Sequence, residues 1–257
     1  MHRPALVGIL NITPDSFSGD GKLAGGALVH AAQLVAAGAD ILDLGAESTR
    51  PGAVPLSAAT EWARLEPVLA EILAQAWRPR VRLSVDTRHA ETASRALDLG
   101  VEIINDVSGL AAPMMAEILE EHACDVVVMH ALDVPVNPAH TLPPEADAVA
   151  EILRWKQAIT AQAAARNIAP HRLIYDPGLG FGKTAEQSLA LVRRAVELKQ
   201  SGGRWFFGHS RKSFLRLLGE DRDVLTLQLS RALAAAGIDY LRVHDVAAHV
   251  AQFDAAP

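Results

Sequence analysis

The feature that most constrains the fold is a repeated alternation of short apolar segments with longer Ala/Leu-rich amphipathic segments. The apolar segments are typical of buried β-strands, and the amphipathic ones have the period of an α-helix. The amphipathic segments include residues 27–37, 60–75, 145–166 and 224–236. The candidate strands are ALVGILN (5–11), DILDLGAEST (40–49), VRLSVDT (81–87), EIINDVSG (102–109), DVVVMH (125–130), RLIYDPG (172–178), RWFFGHS (204–210) and DYLRVHD (239–245).

This alternation indicates parallel strands that are buried under helices. Eight repeats within 257 residues favour an α/β fold with one (β/α)8 TIM barrel, formed by a single domain over residues 1–257. A doubly wound sheet is the alternative. Gly38, Gly100 and Gly237 each follow a helical pattern and precede a strand, so we predict that they cap helices at their C-terminal ends.

Composition limits the cellular compartments and the binding partners that we expect for this protein. The formal net charge of −6 gives no support to binding of nucleic acid or of an anionic membrane. No apolar run reaches the ~18 residues of a membrane span, and Ala5–Leu10 is too short for a signal peptide. The single Cys124 excludes an internal disulfide and fits a reducing compartment. We therefore expect a soluble cytoplasmic protein that would bind phosphate only through locally clustered Lys and Arg.

Polar side chains follow all eight candidate strands. In a barrel these strand ends meet at one face, where enzymes of this fold have their active sites. A single polar residue can simply terminate a strand, but eight together favour a shared site. The residues are Asn11, Glu47 to Arg50, Asp86, Asn105, His130, Asp176, Ser210 to Lys212, and Arg242 to His244.

The stretch RLIYDPGLGFGKT (172–184) combines a strand end, a carboxylate, alternate glycines and a lysine. Glycine lets the backbone approach a ligand closely, so the loop indicates a polar ligand with an anionic part. It is neither a P-loop, since Pro177 stands where the first glycine belongs, nor a dinucleotide fingerprint, since Lys183 replaces the third glycine. An ordinary tight turn between a strand and a helix is the alternative.

The acids and the amide at the strand ends suit a flat heterocycle. Asp86 and Asp176 can accept hydrogen bonds from the N–H groups of an amino-pyrimidinone edge, and Asn105 can donate one to its carbonyl. An internal polar network or a metal site is the alternative, although separated carboxylates without clustered His or Cys do not suit a catalytic zinc.

Other polar stretches point to phosphate. NITPDSFSGDGK (11–22) is a candidate lid, in which Asn11 and Asp15 offer oxygen ligands for Mg²⁺ bound to phosphate. Arg50 is a bidentate donor for phosphate or carboxylate, or else an ordinary surface arginine. The positive charges after strands seven and eight could neutralise a pyrophosphate leaving group. They belong to Arg211, Lys212, Arg242 and His244.

Taken together, these motifs resemble the dihydropteroate synthases over effectively the whole chain. The matching motifs are NITPDSFS, GAESTRPGA, SVDTR, IINDVSG, DPGLGFGKT, SRKSF and RVHDV, in the family's order. The resemblance implies a TIM-barrel transferase of folate biosynthesis. That transferase joins 6-hydroxymethyl-7,8-dihydropterin diphosphate to p-aminobenzoate, with loss of pyrophosphate before the pterin cation is captured by the aryl amine. It also implies a Mg²⁺ cofactor, inhibition by sulfonamides and a homodimer.

The resemblance assigns roles to individual residues. The catalytic and pterin diphosphate residues would be Thr49, Asp86, Asn105, Asp176, Lys212, Arg242 and His244. The residues at p-aminobenzoate would be Arg50, Pro51, Phe181, Lys212 and Ser213. Asn11 would hold the metal, and loops with Asp15 and Phe17 would close over the site. The glycine loop lacks the insertion that we associate with sulfonamide-insensitive relatives.

The chain departs from the family pattern in three places. Asp20 is displaced by one residue within SFSGDGK, MHALDVPVNP replaces a polar turn after strand five, and His209 stands at a position that is usually small or apolar. Two other functions compete. A methyltetrahydrofolate–corrinoid methyltransferase would share the Asp/Asn pterin site but would not need SRKS, RVH or NITPDSFS. A catalytically silent pterin-binding homologue is the other.

Overall fold

The structure, a computed structural model, describes residues 3–13, 23–48 and 52–255. Its eight parallel strands close into one barrel in sequence order, each paired with the next and β8 with β1. The predicted (β/α)8 barrel is therefore confirmed, and the doubly wound sheet is excluded. The strands are β1 Ala5–Asn11, β2 Ile41–Gly45, β3 Arg82–Asp86, β4 Ile103–Asp106, β5 Asp125–Met129, β6 Leu173–Asp176, β7 Arg204–Phe207 and β8 Tyr240–Val243.

Helices cover the outside of the barrel in the described part of the chain. They are α1 Leu23–Ala36, α2 Ala58–Leu73, α3 Ala90–Asp98, α4 Pro113–Glu121, α5 Ala148–Ala164, α6 Ala185–Arg193, α7 Ala195–Gln200, α8 Arg222–Ala235 and α9 Val246–Asp254. None of these helices is long and apolar enough to cross a membrane. The predicted glycine caps are present. After α1, Gly38 has φ +96°, and Ala39 N–H donates to the Leu34 carbonyl.

The strands alternate between inward and outward side chains, which divides the barrel interior into layers. One inward layer is apolar and consists of Val7, Ile41, Ile103, Val127, Ile174 and Phe206, with Tyr240 packed against it. Two residues further along, the inward positions of several strands are polar instead. These positions are Asp43, Asp86, Asn105, Asp176 and Arg242. The polar residues therefore gather at the carboxyl ends of the strands, above an apolar floor.

A second charged layer lies at the opposite, N-terminal end of the barrel. Asp125 accepts hydrogen bonds from Arg82 at 2.8 Å and from Arg204 at 2.7 Å. Burial alone would raise the pKa of Asp125, but the hydrogen bonds from Arg204 and Arg82 lower it below its ordinary value. This end of the barrel is therefore closed by a paired charge cluster.

Candidate active site

The centre of the site is the carboxylate of Asp43, which is fully buried on β2. Its Oδ1 accepts a hydrogen bond from Ser84 Oγ at 2.6 Å. Its Oδ2 accepts from Arg242 Nε at 2.6 Å and from Asn105 Nδ2 at 3.2 Å. Arg242 also donates from Nη2 to Asp86 Oδ2 at 3.0 Å. These bonds bring together Asp86, Asn105 and Arg242, which the sequence distributes over three strands.

The sequence interpretation missed Asp43. The available signal was an acid in the middle of the otherwise apolar strand ILDLG, at an inward position of the barrel. A buried carboxylate is costly unless hydrogen bonds and opposite charge compensate it, so an acid at such a position predicts partners on neighbouring strands. Asp43 precedes the end of β2 by two residues, so it is not among the polar residues that end the strands.

Asp86 lies in an environment that disfavours its charge. Burial raises the pKa of Asp86 to about 8, the guanidinium of Arg242 opposes that shift, and the nearby Asp43 carboxylate adds to it. Acids with raised pKa values are common where a site must exchange protons or accept hydrogen bonds from a ligand. The side chain is 16% exposed, so one edge of the carboxyl group is accessible.

Asp176 ends β6 and organises the start of the glycine loop. Its Oδ1 accepts from Gly178 N–H at 2.7 Å. Burial raises the pKa of Asp176 to about 6, against the hydrogen bond from Gly178 and the positive charges of Lys212, Lys183 and Arg242. The glycine is required here, because Gly178 has φ +67° and a Cβ would lie 2.0 Å from the His130 carbonyl oxygen.

Lys212 connects the segment after β7 to the glycine loop. Its Nζ donates to the Leu179 carbonyl at 2.8 Å and lies 4.5 Å from the centre of the Phe181 ring. Burial lowers the pKa of Lys212 to about 8, although Asp176 opposes the shift. The structure thus brings Lys212 and Phe181 together. Ser213 follows at an exposed position where a short 3₁₀ turn begins.

Lys183, at the end of the glycine loop, is buried and its Nζ is surrounded by protein groups. Its Nζ contacts the His130 carbonyl at 3.0 Å, His130 Nδ1 at 2.8 Å and the Phe181 carbonyl at 2.8 Å. Burial lowers the pKa of Lys183 to about 7 and that of His130 to about 3. The lysine therefore fixes the glycine loop against the end of β5.

The basic residues after β7 and β8 separate into two groups. Arg211 turns outward and pairs with Asp223 of α8 at 2.6 Å, so it does not join the site. His244 lies beside Ser210, with 2.9 Å between His244 Nδ1 and Ser210 Oγ. Arg242, His244 and Lys212 remain as the basic residues at the carboxyl ends of β7 and β8.

Two places among the described residues could hold a metal. Asn11 ends β1 opposite Gly45 and is half-buried, so it can supply one amide oxygen. Ligand atoms of Glu47, Glu61 and His89 lie within 4.8 Å of one another, but Glu47 already accepts two hydrogen bonds from Arg88. Asn11 fits Mg²⁺ better, since this ion commonly takes one or two protein oxygens and completes its shell with water and phosphate.

Several predicted site residues lie outside the described residues. They are Asp15, Phe17, Thr49, Arg50 and Pro51. The segments on either side of Thr49–Pro51 are described, and Glu47 joins them by accepting a hydrogen bond from Leu56 N–H at 2.8 Å. The start and the end of this connection are thereby held close together.

Comparison with known proteins identifies the relatives of this site. The profile of the family "Pterin binding enzyme" matches residues 7–244. A dihydropteroate synthase of Neisseria meningitidis serogroup C is 40% identical over 96% of this chain and 90% of its own length. The Anaplasma phagocytophilum synthase with bound 6-hydroxymethylpterin-monophosphate superposes with a TM-score of 0.90 at 38% identity, covering 98% of both chains. The Xanthomonas albilineans synthase with 4-aminobenzoic acid gives 0.88 at 35% identity, covering 99% of this chain and 94% of its own.

The barrel, with its acids and bases at the carboxyl ends of the strands, is therefore that of a pterin-binding enzyme. Within this class, the near-complete coverage at about 40% identity is decisive. The chain belongs to the dihydropteroate synthase family of transferases.

The close approach of Gly178 to β5 can be tested with a matched pair of substitutions. Gly178→Ala and Gly180→Ala both place a side chain at positive φ, which costs about 1–2 kcal/mol. Only the Cβ at residue 178 meets an atom within 4 Å, the His130 carbonyl oxygen. We expect Gly178→Ala to lower the free energy of unfolding in urea at least twice as much as Gly180→Ala. Equal losses would contradict the contact with His130.

Proposed function

We propose that this chain condenses 6-hydroxymethyl-7,8-dihydropterin diphosphate with p-aminobenzoate to give 7,8-dihydropteroate and pyrophosphate, a step of folate biosynthesis. The observation that carries the proposal is the set of groups around Asp43. It combines Asp86, the amide of Asn105 and the guanidinium of Arg242 at one end of the barrel, where the charges of Asp176 and Lys212 also interact with Arg242. The relatives solved with a pterin monophosphate and with 4-aminobenzoic acid have the same fold.

The acids and the amide suit the pterin ring. An amino-pyrimidinone edge presents several N–H donors, which the carboxylates of Asp86 and Asp176 can accept. Asn105 donates one hydrogen bond from its side-chain amide to Asp43, which fixes the orientation of the amide. The carbonyl oxygen and the second N–H of Asn105 are left for a ligand. Asp43 is bonded to three protein groups, so we assign it to positioning and not to substrate binding.

The basic residues suit the diphosphate. The charges of Arg242 and Lys212 and a ring N–H of His244 can stabilise the negative charge that develops on pyrophosphate as the carbon–oxygen bond breaks. Asn11 would hold Mg²⁺, which supplies further charge neutralisation when bound together with the diphosphate. The proposal also includes the roles that the family resemblance implies for residues outside the described ranges. Thr49 would contact the pterin diphosphate, Arg50 and Pro51 would contact p-aminobenzoate, and loops with Asp15 and Phe17 would close over the site.

The chemistry then needs no activated protein nucleophile. The bond between the pterin methylene carbon and the diphosphate oxygen breaks, and its electron pair leaves with pyrophosphate. The resulting cation is delocalised over the pterin ring, and the carboxylates of Asp86 and Asp176 stabilise it. The nitrogen of p-aminobenzoate, which we place near Phe181, Lys212 and Ser213, forms the new carbon–nitrogen bond and then loses a proton.

We also propose that the protein acts in the cytoplasm as a homodimer. A single buried Cys124 suits a reducing compartment. Exposed apolar side chains on α7, on the 3₁₀ turn after Lys212 and on α8 would be covered in a dimer. They belong to Val196, Leu217 and Val224.

Release of pyrophosphate tests the function directly. We expect sustained release only with the pterin diphosphate, p-aminobenzoate and Mg²⁺ together. Asp86→Asn should lower kcat/KM about 100-fold or more, because an amide loses both the negative charge and acceptor capacity at the pterin. Asp254→Asn, at an exposed position on α9, is the matched control. A silent homologue and a corrinoid methyltransferase would both release none, because neither breaks the bond between the pterin methylene carbon and a diphosphate.

The raised pKa of Asp176 predicts how pterin binding depends on pH. The carboxylate is charged above its pKa of about 6 and becomes protonated below it. If the charged form accepts the pterin N–H groups, the fall in affinity for 6-hydroxymethylpterin should become steeper by up to tenfold per pH unit below about pH 6, in addition to any fall that the protonation of Asp86 causes below its own pKa of about 8. Calorimetric titration between pH 5 and 7 measures this, and Asp176→Asn should remove the step. A step that persists in the variant would assign it to another group.

The glycine loop predicts sensitivity to sulfonamides. The centre of the Phe181 ring lies 4.5 Å from Lys212 Nζ. The loop that carries Phe181 lacks the insertion associated with insensitive relatives. We expect sulfamethoxazole to inhibit turnover in competition with p-aminobenzoate, so that added p-aminobenzoate restores the rate and added pterin diphosphate does not. Absence of competition at high micromolar drug concentration would contradict the prediction.

A further inference from the structure

A chain of buried polar side chains joins the end of β7 to α8 and α9 behind the site. His209 and Ser230 are 0% exposed, and His249 is 1% exposed. His209 Nε2 lies 2.8 Å from Ser230 Oγ, which lies 2.8 Å from His249 Nε2. His249 Nδ1 lies 2.6 Å from the carbonyl oxygen of Asp245. None of these residues is assigned to substrate or metal.

The contacts define the direction of each hydrogen bond. The Asp245 carbonyl only accepts, so His249 carries a proton on Nδ1. Burial lowers the pKa of His249, so at pH 7 the ring is neutral and its Nε2 accepts. Ser230 Oγ–H then donates to His249 Nε2. Ser230 Oγ also lies 2.9 Å from the Thr226 carbonyl oxygen, but that oxygen has a second donor in His209 Nε2 at 3.3 Å, whereas His249 Nε2 has no other donor among the described residues.

His209 must therefore donate from Nε2 to Ser230. The Thr226 carbonyl, 3.3 Å from the same nitrogen, also needs a donor there. Burial and the neighbouring His249 lower the pKa of His209 to about 4, although the carbonyls of Thr226 and Phe207 oppose this shift. The Phe207 carbonyl acts on the ring without forming a hydrogen bond to Nδ1. The neutral ring leaves Nδ1 without a proton. This atom has no hydrogen-bond partner among the described residues, and a bare acceptor is a more common orphan than a buried N–H.

This series of hydrogen bonds ends at the turn formed by residues 209–212, which carries the site residues Ser210 and Lys212. Within residues 209–212, Lys212 N–H donates to the His209 carbonyl at 3.2 Å, and Arg211 N–H donates to Thr226 Oγ1 at 3.1 Å. Ser210 Oγ lies 2.9 Å from His244 Nδ1. His209 packs against α8, so the position of its ring determines where the backbone of Ser210 and Lys212 lies.

We propose that His209 is a positioning residue, whose directed hydrogen bond to Ser230 and, through Ser230, to His249 holds the 209–212 turn in register with α8 and α9. Through this turn it places Lys212 at the substrates and Ser210 at His244. The functional part of the proposal rests on the proposed synthase activity. An apolar side chain would fill the same space without fixing its position, whereas a satisfied buried network specifies one arrangement.

The proton arrangement can be tested without any activity. Nitrogen-15 NMR of the histidine rings at pH 7 should show His209 with a protonated Nε2 and a bare Nδ1, and His249 with a protonated Nδ1 and a bare Nε2. In Ser230→Ala the His249 Nε2 signal should shift, because its donor is gone. A protonated Nδ1 on His209, or an imidazolium on either ring, would overturn the proposal even if the enzyme is fully active.

Substitutions test the positioning role. Gln can place its amide N–H near the former Nε2, whereas Asn and Leu cannot. We expect His209→Gln to retain most of kcat/KM, and His209→Asn, His209→Leu and Ser230→Ala to lose about 10- to 100-fold. Leu233→Ala is the control for destabilisation, because Leu233 is fully buried on α8 and takes no part in the hydrogen bonds between His209, Ser230 and His249. It should lower stability but leave kcat/KM per folded molecule unchanged.

A double-mutant cycle shows whether the effect passes through Lys212. In a Lys212→Met background, His209→Leu should cost much less in kcat/KM than it does in the wild type, because the group that it positions is already absent. Independent, multiplicative losses would overturn the proposal, as would full activity of both His209→Leu and Ser230→Ala. If His209→Leu fails to fold, Ser230→Ala in the same cycle gives the answer.

Discussion

The site depends on one buried carboxylate. Asp43 accepts hydrogen bonds from Ser84, Asn105 and Arg242 and thereby connects β2, β3, β4 and β8 inside the barrel. Burial of this charge is tolerated because a guanidinium and two further donors compensate it. Arg242 continues the connection to Asp86, so the groups that would meet a ligand take their positions from a residue that does not contact it. We therefore regard Asp43 as the structural origin of the site.

The same enclosure makes the ionisable groups of the site readily titratable. Burial raises the pKa values of Asp86 and Asp176 and lowers that of Lys212, so the three values come close to neutrality. A ligand that brings donors to the acids and negative charge to the cations would restore the charged forms. Hydrogen-bond donors and negative charge from the substrates would thus compensate both kinds of ionisable group at this end of the barrel.

Much of the fold was predictable because its signals are local. Apolar runs and glycine caps identified all eight strands, and the barrel then explained why distant polar residues such as Asn105 and Lys212 share one end. Asp43 was missed because it precedes the end of β2, although an acid within an apolar strand was a local signal for it. The burial of Lys183 against His130 could not be inferred from a loop motif, because these residues are distant in sequence. His209 was recognised as unusual, but its role depends on Ser230 and His249, which only packing reveals.

The apolar layer around Val7, Ile103 and Phe206 separates two charged regions of the barrel. Below it, Asp125 is neutralised by Arg82 and Arg204, and above it lies the site. Because the field of a paired charge cluster falls off quickly, changes at the lower end should alter thermal tolerance and leave turnover intact. The barrel thus divides into a lower half that contributes to stability and an upper half that carries the chemistry.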